Sequence, residues 1–511
     1  MSDSIDGASA KYLRRYILVA IFLSGAAVLS IEIAGTRLIS PFYGTSVWCW
    51  SALITVTLAA LAVGYRLGGR RADRAPGPAT FVNFLGAAAA AVALIPALRF
   101  PALKLSAHLG PMYGALAGAA LLVAPALTLL SALGPAAIKL TASGKADVGG
   151  ASGDIYAVST LGSMAGALVT ALALIPHVAL PRLFYGISIV LLLLHAWGRS
   201  LIGRKTGIAL TAAAAIVCCG AWPQPAAPSS QRLLKESLYG QIEVRDEDGE
   251  RELLINNQHE SSRLPERGAS PYPGMEELAT RFRPHAQRAL VVGVGGGSLG
   301  TSLEANHGIA TDNVEIDADV VSAAKEYFRF APRGGIFIED GRSYLERGGP
   351  LYDLMFIDAY KTDTVPYDLF TEEAFTAMHR RLQPNGILGI NFLASTDPKG
   401  ERAWVSVYKT LRGVFPEVRA FKLFKPEGRI KIYFLCSDRK FPSAIPLQAA
   451  PPWGRKELEY MLSHELNPTQ AEVANAYRLT DDFTPLDILL VESSMLRRRA
   501  ILAEIAARGD Q

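Results

Sequence analysis

The hydrophobic pattern divides this chain of 511 residues into two parts. Residues 16–222 are almost continuously apolar, whereas residues 231–511 mix apolar and polar positions as a soluble domain does. A helix needs about 20 mostly apolar residues to cross a bilayer. The first part therefore predicts a multi-span transmembrane domain in a lipid bilayer. About seven spans are expected, near 16–38, 47–66, 79–99, 112–139, 154–176, 178–198 and 206–222.

Short apolar runs alternate with helical stretches in the second part. This alternation is typical of an α/β fold with a mostly parallel sheet and helices on both faces. Upstream, alternating residues around Asp248 and Gly249 predict a β-hairpin, and thus a small β-subdomain before the α/β core. Strands are expected near 288–293, 313–316, 336–339, 353–358, 386–392 and 430–436, with helices that include 319–328 and 371–382.

These patterns predict five segments. They are a transmembrane helical domain at 1–222, a linker at 223–232, a β-subdomain at 233–285, a Rossmann-like domain at 286–445 and a C-terminal helical segment at 446–511.

Charge and cysteine content exclude several classes of function. The formal net charge is +4 and the soluble part has no basic tract, so no nucleic-acid partner is expected. The four cysteines do not have the spacing of metal ligands, so neither a metal site nor a disulfide framework is expected.

Candidate chemistry is concentrated between residues 288 and 358. An apolar strand leads into a glycine-rich loop at 293–297, and Glu315, Asp340 and Asp358 each follow a later apolar run. Parallel sheets present such groups to nucleotide-type ligands at the carboxyl ends of their strands. Glycines let the backbone approach a ligand, and Glu315 can accept hydrogen bonds from both ribose hydroxyls. The pattern therefore predicts an adenosyl-binding enzyme.

Each of these residues also has a simpler interpretation. The glycines also suit a plain turn, and Asp340 could cap a helix that begins at Gly341. The loop Gly295–Gly300 also fits the fingerprint of dinucleotide-binding dehydrogenases, although no partner for hydride chemistry follows it.

Taken together, residues 233–438 resemble the spermidine synthases, which are polyamine aminopropyltransferases. The segment Leu29–Ser46 is similar to the opening of a bacterial branch in which this domain is fused to a membrane domain. The resemblance implies a Rossmann-like, class I methyltransferase-type fold behind a β-subdomain. It also implies decarboxylated S-adenosylmethionine as donor, an amine of the polyamine type as acceptor and no metal, and it is compatible with a homodimer.

The resemblance also implies roles for individual residues. Asp358 matches the catalytic acid–base position, and Tyr360 and Lys361 lie where the acceptor or the tail of the donor would bind. Tyr272 and Tyr360 suit cation–π contact with the acceptor, although both are equally plausible as core tyrosines. The residues that match the nucleoside-binding positions are Gln258, Tyr272, Gly293, Gly295, Gly297, Glu315, Asp340 and Gly341.

Two positions depart from the family pattern. Gly296 stands where the family has an aspartate that pairs with the donor ammonium, and Lys361 replaces a second aspartate that helps to hold the diamine. Both changes make the site less negative. One hypothesis is that the donor is S-adenosylmethionine itself, with Lys361 or Arg342 facing its carboxylate; another is that the acceptor differs from putrescine.

Several rival functions remain open. Methyl transfer, 3-amino-3-carboxypropyl transfer or elimination could occur on the same fold, since only the acceptor pocket separates these reactions. A transporter or sensor that merely binds polyamine or nucleoside is a further alternative. In the aminopropyltransferase interpretation, an amine displaces methylthioadenosine and Asp358 accepts the amine proton.

Basic residues predict the orientation in the membrane. Arg14 and Arg15 precede the first span and four arginines follow the second, which places the amino terminus in the cytoplasm. Seven spans would put the soluble part outside, away from a cytoplasmic adenosyl donor. Because 206–222 is the shortest and weakest span, we expect a bacterial inner-membrane protein with a cytoplasmic catalytic domain.

Overall fold

A computed structural model describes residues 7–142, 144, 147–203, 229–263, 275–360, 365–395, 397–424, 429–442 and 455–508. The chain forms two compact units. The first comprises Met1–Pro228 with Lys235–Gly240 and Leu502–Gln511, and the second comprises Ser229–Leu234 with Gln241–Ile501.

The first unit is helical. Within the described residues, six helices are long and apolar enough to cross a membrane. The predicted span at 206–222 lies outside the described residues. The helices of this unit are α1 (Gly7–Tyr43), α2 (Val47–Arg74), α3 (Pro78–Ala107), α4 (Gly110–Leu122), α5 (Ala124–Ser131), α6 (Leu133–Thr141), α7 (Val148–Val169), α8 (Ile175–His177) and α9 (Leu180–Leu201), with a π-helical segment at Thr170–Leu174.

The fourth predicted span, 112–139, is interrupted in the structure. It forms α4, α5 and α6 in succession, and only Ala124–Thr141 is long and apolar enough to cross a membrane. Pro125 and Pro135 lie in the first turns of α5 and α6. Proline lacks a backbone N–H and clashes with the preceding turn, so it favours the start of a new helix over the middle of a long one.

Small residues bring the helices of this unit close together. A Cβ built on Gly162 or Gly166 of α7 would lie 2.0 or 2.4 Å from a carbonyl oxygen of α1. On α2, a Cβ at Gly68 would lie 2.2 Å from the carbonyl oxygen of Ala132. Without a hydrophobic driving force in lipid, such close backbone packing is a main source of helix association.

The second unit begins with a four-stranded sheet. Asp248 and Gly249, with φ values of 49° and 80°, form the predicted hairpin turn between the second and third strands. Buried side chains of this small sheet, such as Ile242 and Val244, pack against Val320 in a helix of the α/β core. The strands are β1 (Gln231–Glu236), β2 (Gln241–Glu247), β3 (Glu250–Ile255) and β4 (Gln258–Arg263), in the order β1-β2-β3-β4.

The larger sheet has eight strands. They are β5 (Arg288–Val292), β6 (Ala310–Glu315), β7 (Ile336–Ile338), β8 (Tyr352–Ile357), β9 (Leu382–Ser395), β10 (Glu417–Phe424), β11 (Arg429–Ser437) and β12 (Glu465–Leu466).

Their order is β12-β10-β11-β9-β8-β5-β6-β7. Strands β5 to β9 pair in parallel, and β9, β11, β10 and β12 pair antiparallel. The chain runs outward from β5 to β7 and then crosses over to β8 on the other side of β5. The carboxyl ends of β5 and β8 therefore form a topological switch point, where open α/β sheets bind their ligands.

Helices cover both faces of this sheet. This arrangement, with β-strands flanked by helices and an antiparallel edge, is the predicted Rossmann-like, methyltransferase-type fold. The helices of this unit are α10 (Met275–Phe282), α11 (Ser298–His307), α12 (Ala318–Phe328), α13 (Gly341–Glu346), α14 (Glu372–Arg380), α15 (Pro398–Val414), α16 (Arg455–Ser463), α17 (Gln470–Asn475) and α18 (Leu486–Leu489), and the last helix described in the chain is α19 (Val491–Arg508).

Candidate functional site

The glycine turn, residues 293–297, follows β5 at the switch point. Gly293, Gly295 and Gly297 have φ values of 95°, 51° and 77°, a region that other residues rarely adopt. A Cβ on Gly293 would lie 2.4 Å from the carbonyl oxygen of Asp358, and one on Gly297 would lie 2.2 Å from the ring of Phe330. These positions require glycine because their φ angles are positive and because other segments of the same chain approach them closely.

Glu315, at the end of β6, contacts the glycine turn directly. Its two carboxylate oxygens accept hydrogen bonds from the backbone N–H groups of Val294, at 2.9 Å, and Asp317, at 3.1 Å. Burial raises the pKa of Glu315 above its usual value, although these amide hydrogen bonds oppose the shift. The carboxylate therefore lies beside the turn, where the predicted ribose would be bound.

Asp340 occupies the N-cap of α13. One carboxylate oxygen accepts a hydrogen bond from the backbone N–H of Ser343 at 2.8 Å, so the helix-capping interpretation is realised. A Cβ on the adjacent Gly341 would lie 2.7 Å from a methyl carbon of Val292. Glycine there allows the start of α13 to lie against β5. Adenine binding by Asp340 and Gly341 stays a prediction.

Asp358 follows β8 across the switch point from the glycine turn. Its backbone N–H donates to the carbonyl oxygen of Val292 at 2.9 Å, which holds it beside the end of β5. Its side chain accepts a hydrogen bond of 2.6 Å from the amide of Asn391, within β9. The candidate acid–base group therefore lies on the sheet edge that also carries the glycine turn.

Tyr360 is anchored next to Asp358. Its hydroxyl donates to the carbonyl oxygen of Asn391 at 3.0 Å, and its ring lies 6.0 Å from the guanidinium carbon of Arg497. Burial, and then the Asp358 charge, raise the pKa of Tyr360 well above its usual value, so the phenol is neutral. This tyrosine is half-buried and presents its ring near Asp358.

The β-subdomain contributes two side chains from β4. Gln258 is almost fully buried and donates to the Glu260 carboxylate, while its Oε1 has no hydrogen-bond partner among the described residues. The Ser261 hydroxyl accepts a hydrogen bond of 2.9 Å from the N–H of Gly296. A Cβ on Gly296 would lie 2.8 Å from the Cβ of Ser261. Ser261 thus fills the space that an aspartate at position 296 would need.

Arg342 is engaged elsewhere, contrary to the hypothesis that it faces a donor carboxylate. It forms a bidentate ion pair with Asp481, in which its two Nη atoms donate to the two carboxylate oxygens at 3.1 and 2.8 Å, and it also pairs with Glu346. Asp481 in turn accepts a 2.6 Å hydrogen bond from Thr371, the N-cap of α14. Asp481 therefore ties the C-terminal segment to α13 and α14.

Sequence reasoning missed Asn391, which donates to Asp358, Tyr433 and Lys431 on the neighbouring strand β11, and Arg497 beside the Tyr360 ring. One available signal was Lys431, a charged residue inside the apolar strand Ile430–Cys436. Two predicted site residues, Tyr272 and Lys361, lie outside the described residues. Within the described part of the chain, no group of His, Cys, Asp and Glu side chains is placed to hold a metal ion.

Comparison with known proteins agrees with this geometry. Residues 275–441 match the family described as "Spermine/spermidine synthase domain". A polyamine aminopropyltransferase of Vibrio vulnificus is 28% identical over 239 residues, which cover 43% of this chain and 75% of that protein. A probable polyamine aminopropyl transferase of Bifidobacterium longum is 27% identical over 32% of this chain and 38% of its own length.

Other proteins are similar to parts of this chain. An N-terminal histidine N-methyltransferase of Emericella nidulans is 30% identical over 26% of this chain and 24% of its own length. Among solved structures, a probable spermidine synthase from Corynebacterium glutamicum is 19% identical, with a TM-score of 0.40, over 50% of this chain and 96% of that chain. The spermidine synthase of Thermotoga maritima is 22% identical, with a TM-score of 0.38, over 48% of this chain and 88% of its own.

The second unit is therefore a Rossmann-like transferase domain of the methyltransferase type. Within it, residues 275–441 match the family described as spermine/spermidine synthase domain. The apolar helices of the first unit are consistent with the branch in which such a domain is fused to a membrane domain.

Proposed function

We propose that this protein transfers a propyl-type group from a sulfonium nucleoside to an amine and releases methylthioadenosine. The observation that carries the proposal is the position of Asp358, whose backbone is hydrogen-bonded to the last residue of β5 beside the glycine turn, within a spermine/spermidine synthase domain. The acceptor would be an amine of the polyamine type, and no nucleic acid is involved.

The chemistry is an in-line displacement. The amine nitrogen forms a bond to the carbon next to the sulfonium, the C–S bond breaks, and its electron pair stays on sulfur. The sulfonium is already a good leaving group, so the protein must mainly align the reactants and supply an unprotonated amine. Free alkyl ammonium groups have a pKa near 10.4, so the neutral amine is scarce at pH 7.

Asp358 is the proposed proton acceptor. Asn391 donates to one of its oxygens at 2.6 Å, which orients the carboxylate toward the incoming amine. General base catalysis of this kind contributes about 10²–10⁴ in rate. The proton passes from the amine nitrogen to the carboxylate and then to solvent, and Tyr360 would provide one wall of the acceptor pocket.

The remaining residues would hold the nucleoside. We propose that Glu315 accepts hydrogen bonds from the ribose hydroxyls, that Asp340 and Gly341 bind the adenine, and that Gly293, Gly295 and Gly297 allow close approach of the sulfonium end. The unpartnered Oε1 of Gln258 is a further acceptor for the ligand. Tyr272 and Lys361 keep the roles that the family resemblance implies.

Decarboxylated S-adenosylmethionine is the donor that the family implies, and S-adenosylmethionine is the alternative. Position 296 is glycine and so offers no carboxylate to pair with a donor ammonium, and Ser261 fills the space beside it. The engagement of Arg342 with Asp481 leaves Lys361 as the candidate partner for a donor carboxylate.

The test is to incubate the full-length protein, in detergent or lipid vesicles, with each donor and a panel of amines. Formation of methylthioadenosine together with an N-alkylated amine is expected. Release of adenosylhomocysteine would instead indicate methyl transfer. Ligand binding without any product would indicate a sensor or transporter.

We also propose that the catalytic unit lies in the cytoplasm and that the protein resides in the bacterial inner membrane. A C-terminal reporter that is fluorescent only in the cytoplasm should be active. An inactive reporter, together with activity of a reporter that requires export, would place the unit outside. A homodimer is the assembly compatible with the family resemblance, and the mass of the detergent-solubilised protein would test it.

A further inference from the structure

The start of α13 carries both residues that we propose to bind the adenine, Asp340 and Gly341. The helix has only six residues, and a helix of that length is not stable by itself in water. A Cβ on Gly341 would lie 2.7 Å from Val292 of β5 and 3.6 Å from Leu369, so the start of the helix fits closely between neighbouring segments. The position of Asp340 relative to a bound adenine therefore depends on the side-chain contacts that hold this short helix.

Arg342, the residue after Gly341, makes most of these contacts. Its side chain is only 13% exposed. Its Nη1 atom donates to the carbonyl oxygen of Asp368 at 2.8 Å and to the hydroxyl of Thr371 at 3.1 Å. Both Nη atoms donate to Asp481, and Nε donates to Glu346 within α13. One side chain thereby links α13 to the segment after β8, to the N-cap of α14 and to the C-terminal segment.

Asp481 is itself held in place by several hydrogen bonds. Its carboxylate accepts one of 2.6 Å from Thr371, and its backbone N–H donates to Glu373 of α14 at 3.0 Å. Two residues earlier, Leu479 is fully buried, and its backbone N–H donates to the hydroxyl of Thr410 in α15 at 3.0 Å. The carboxylate therefore has a fixed place against α14 and α15.

The geometry of this pair gives Asp481 control over the orientation of Arg342. In a bidentate pair, two parallel N–H···O bonds fix the plane of the guanidinium group as well as its distance. Asp481 lies outside residues 275–441, the part of the chain that matches the spermine/spermidine synthase domain. The C-terminal segment of this chain thus supplies a restraint on a helix that begins at the proposed adenine site.

We propose that Asp481 is a positioning residue for the nucleoside. Through Arg342 it holds the start of α13, and with it Asp340 and Gly341, in the place where these residues bind the adenine. The proposal rests on the nucleoside-binding roles proposed above and extends them to a residue that acts through Arg342 instead of touching the ligand. Removal of Asp481 should therefore weaken recognition of the adenine while the chemical step at Asp358 continues.

The experiment compares the binding of methylthioadenosine and methylthioinosine to the full-length protein by calorimetry. The inosine form lacks the amino group of adenine, which is the group that Asp340 would bind. In Asp481→Ala we expect the Kd for methylthioadenosine to rise about fivefold, the size expected for one well-formed but partly exposed ion pair. The Kd for methylthioinosine should change little, so the preference for adenine should fall by the same factor. General loosening of the fold would weaken both nucleosides alike.

Two further variants test whether the effect passes through Arg342. Asp482→Ala removes the same charge from an exposed neighbour and should leave both Kd values unchanged. Arg342→Gln should weaken methylthioadenosine, and adding Asp481→Ala to it should cause no further loss, because the two residues act as one unit. If Arg342→Gln does not fold, the ratio of the two nucleosides in Asp481→Ala decides the matter by itself.

Three results would overturn the proposal. They are an unchanged Kd for methylthioadenosine in Asp481→Ala, an equal loss of affinity for both nucleosides, and fully additive losses in the double variant. A fall in kcat with unchanged nucleoside affinity would also count against it, since that result would place the effect at the segment after β8.

Failure of the proposed function gives a different result. If the normal protein binds methylthioadenosine but forms no product with any amine, group transfer is refuted, and the comparison of the two nucleosides still tests Asp481. If the normal protein binds neither nucleoside, the adenosyl site and the positioning role are both refuted.

Discussion

The two units use glycine for different physical reasons. On α7, Gly162 and Gly166 have ordinary helical backbones, and their missing side chains let α1 approach within contact of the backbone. In the second unit, Gly293 and Gly297 combine positive φ angles with close approach. At these two positions of α7 glycine is needed for packing alone, whereas the turn after β5 needs it for backbone conformation as well. One residue type thus serves helix association in one place and a tight turn at the end of a strand in the other.

Both units contain buried polar groups. In the membrane unit, Thr170 donates to Ser30 at 2.8 Å, and Ser188 donates to the carbonyl oxygen of Ala89 at 2.8 Å. Such bonds join helices within the unit. Among the described residues, buried oxygens without a hydrogen-bond partner occur in both units, at Thr57 in the first and at Gln258 and Glu276 in the second. An unpaired buried polar atom is costly wherever it occurs, so this feature alone does not distinguish the two units.

The largest expected effect is on the chemistry of the catalytic unit. Asp358→Asn preserves the oxygen that accepts the hydrogen bond from Asn391 but removes the proton acceptor. We expect turnover to fall by about 10²–10⁴, with nucleoside binding largely intact. Steady-state kinetics and methylthioadenosine binding measure the two effects. Turnover within tenfold of the normal protein would refute the role of Asp358.

The next largest effect should come from Gly297→Ala. The new Cβ would lie 2.2 Å from Phe330, at a φ of 77°. Overpacking and backbone strain together should cost about 2–4 kcal/mol and weaken donor binding. Gly308→Ala is the matched control, because Gly308 has a φ of 71° but no atom within 4 Å of the new Cβ. Equal losses in both variants would show that strain alone matters.

A smaller effect is expected in the membrane unit. In Gly166→Ala the new Cβ would lie 2.4 Å from the carbonyl oxygen of Ala26, so α1 and α7 must separate. We expect a loss of about 1–3 kcal/mol in the stability of this unit. Gly186→Ala, on α9 with nothing within 4 Å, is the control. Thermal unfolding in detergent should distinguish the two variants, and nucleoside affinity should not change. Equal stability of both variants would contradict the packing argument.

The last prediction concerns the dependence of stability on pH. Because burial raises the pKa of Glu276 to about 8, the folded protein holds a proton that the unfolded chain releases near pH 4.5. This contribution to stability is present in full below the unfolded pKa and is lost as the pH rises through 8. Glu276→Gln should therefore reduce the fall of the melting temperature between pH 5 and 8. Parallel pH profiles of the two proteins would mean that Glu276 is ionised in the folded state.

Much of the fold followed from local patterns. The strand predicted at 353–358 is Tyr352–Ile357, and the helix predicted at 319–328 is Ala318–Phe328. Long apolar runs and their periodicity are local properties, which is why such elements can be assigned from sequence. Strand β10 was missed, although Val418, Ala420 and Phe421 belong to its buried positions. Its pairing with β11 and β12 depends on residues that are distant in the chain.

The amino-acid sequence by itself determined the division into an apolar and a soluble part, the glycine turn, and the three acidic positions at the strand ends. Those features rest on composition and short-range spacing. Only the tertiary structure decided that Ser261 closes the space beside Gly296, that Asp481 pairs with Arg342, and that Asn391 donates to Asp358. These partners are distant in the chain, so no local pattern reveals them. The folding of separate strands and helices onto one another is what brings them together.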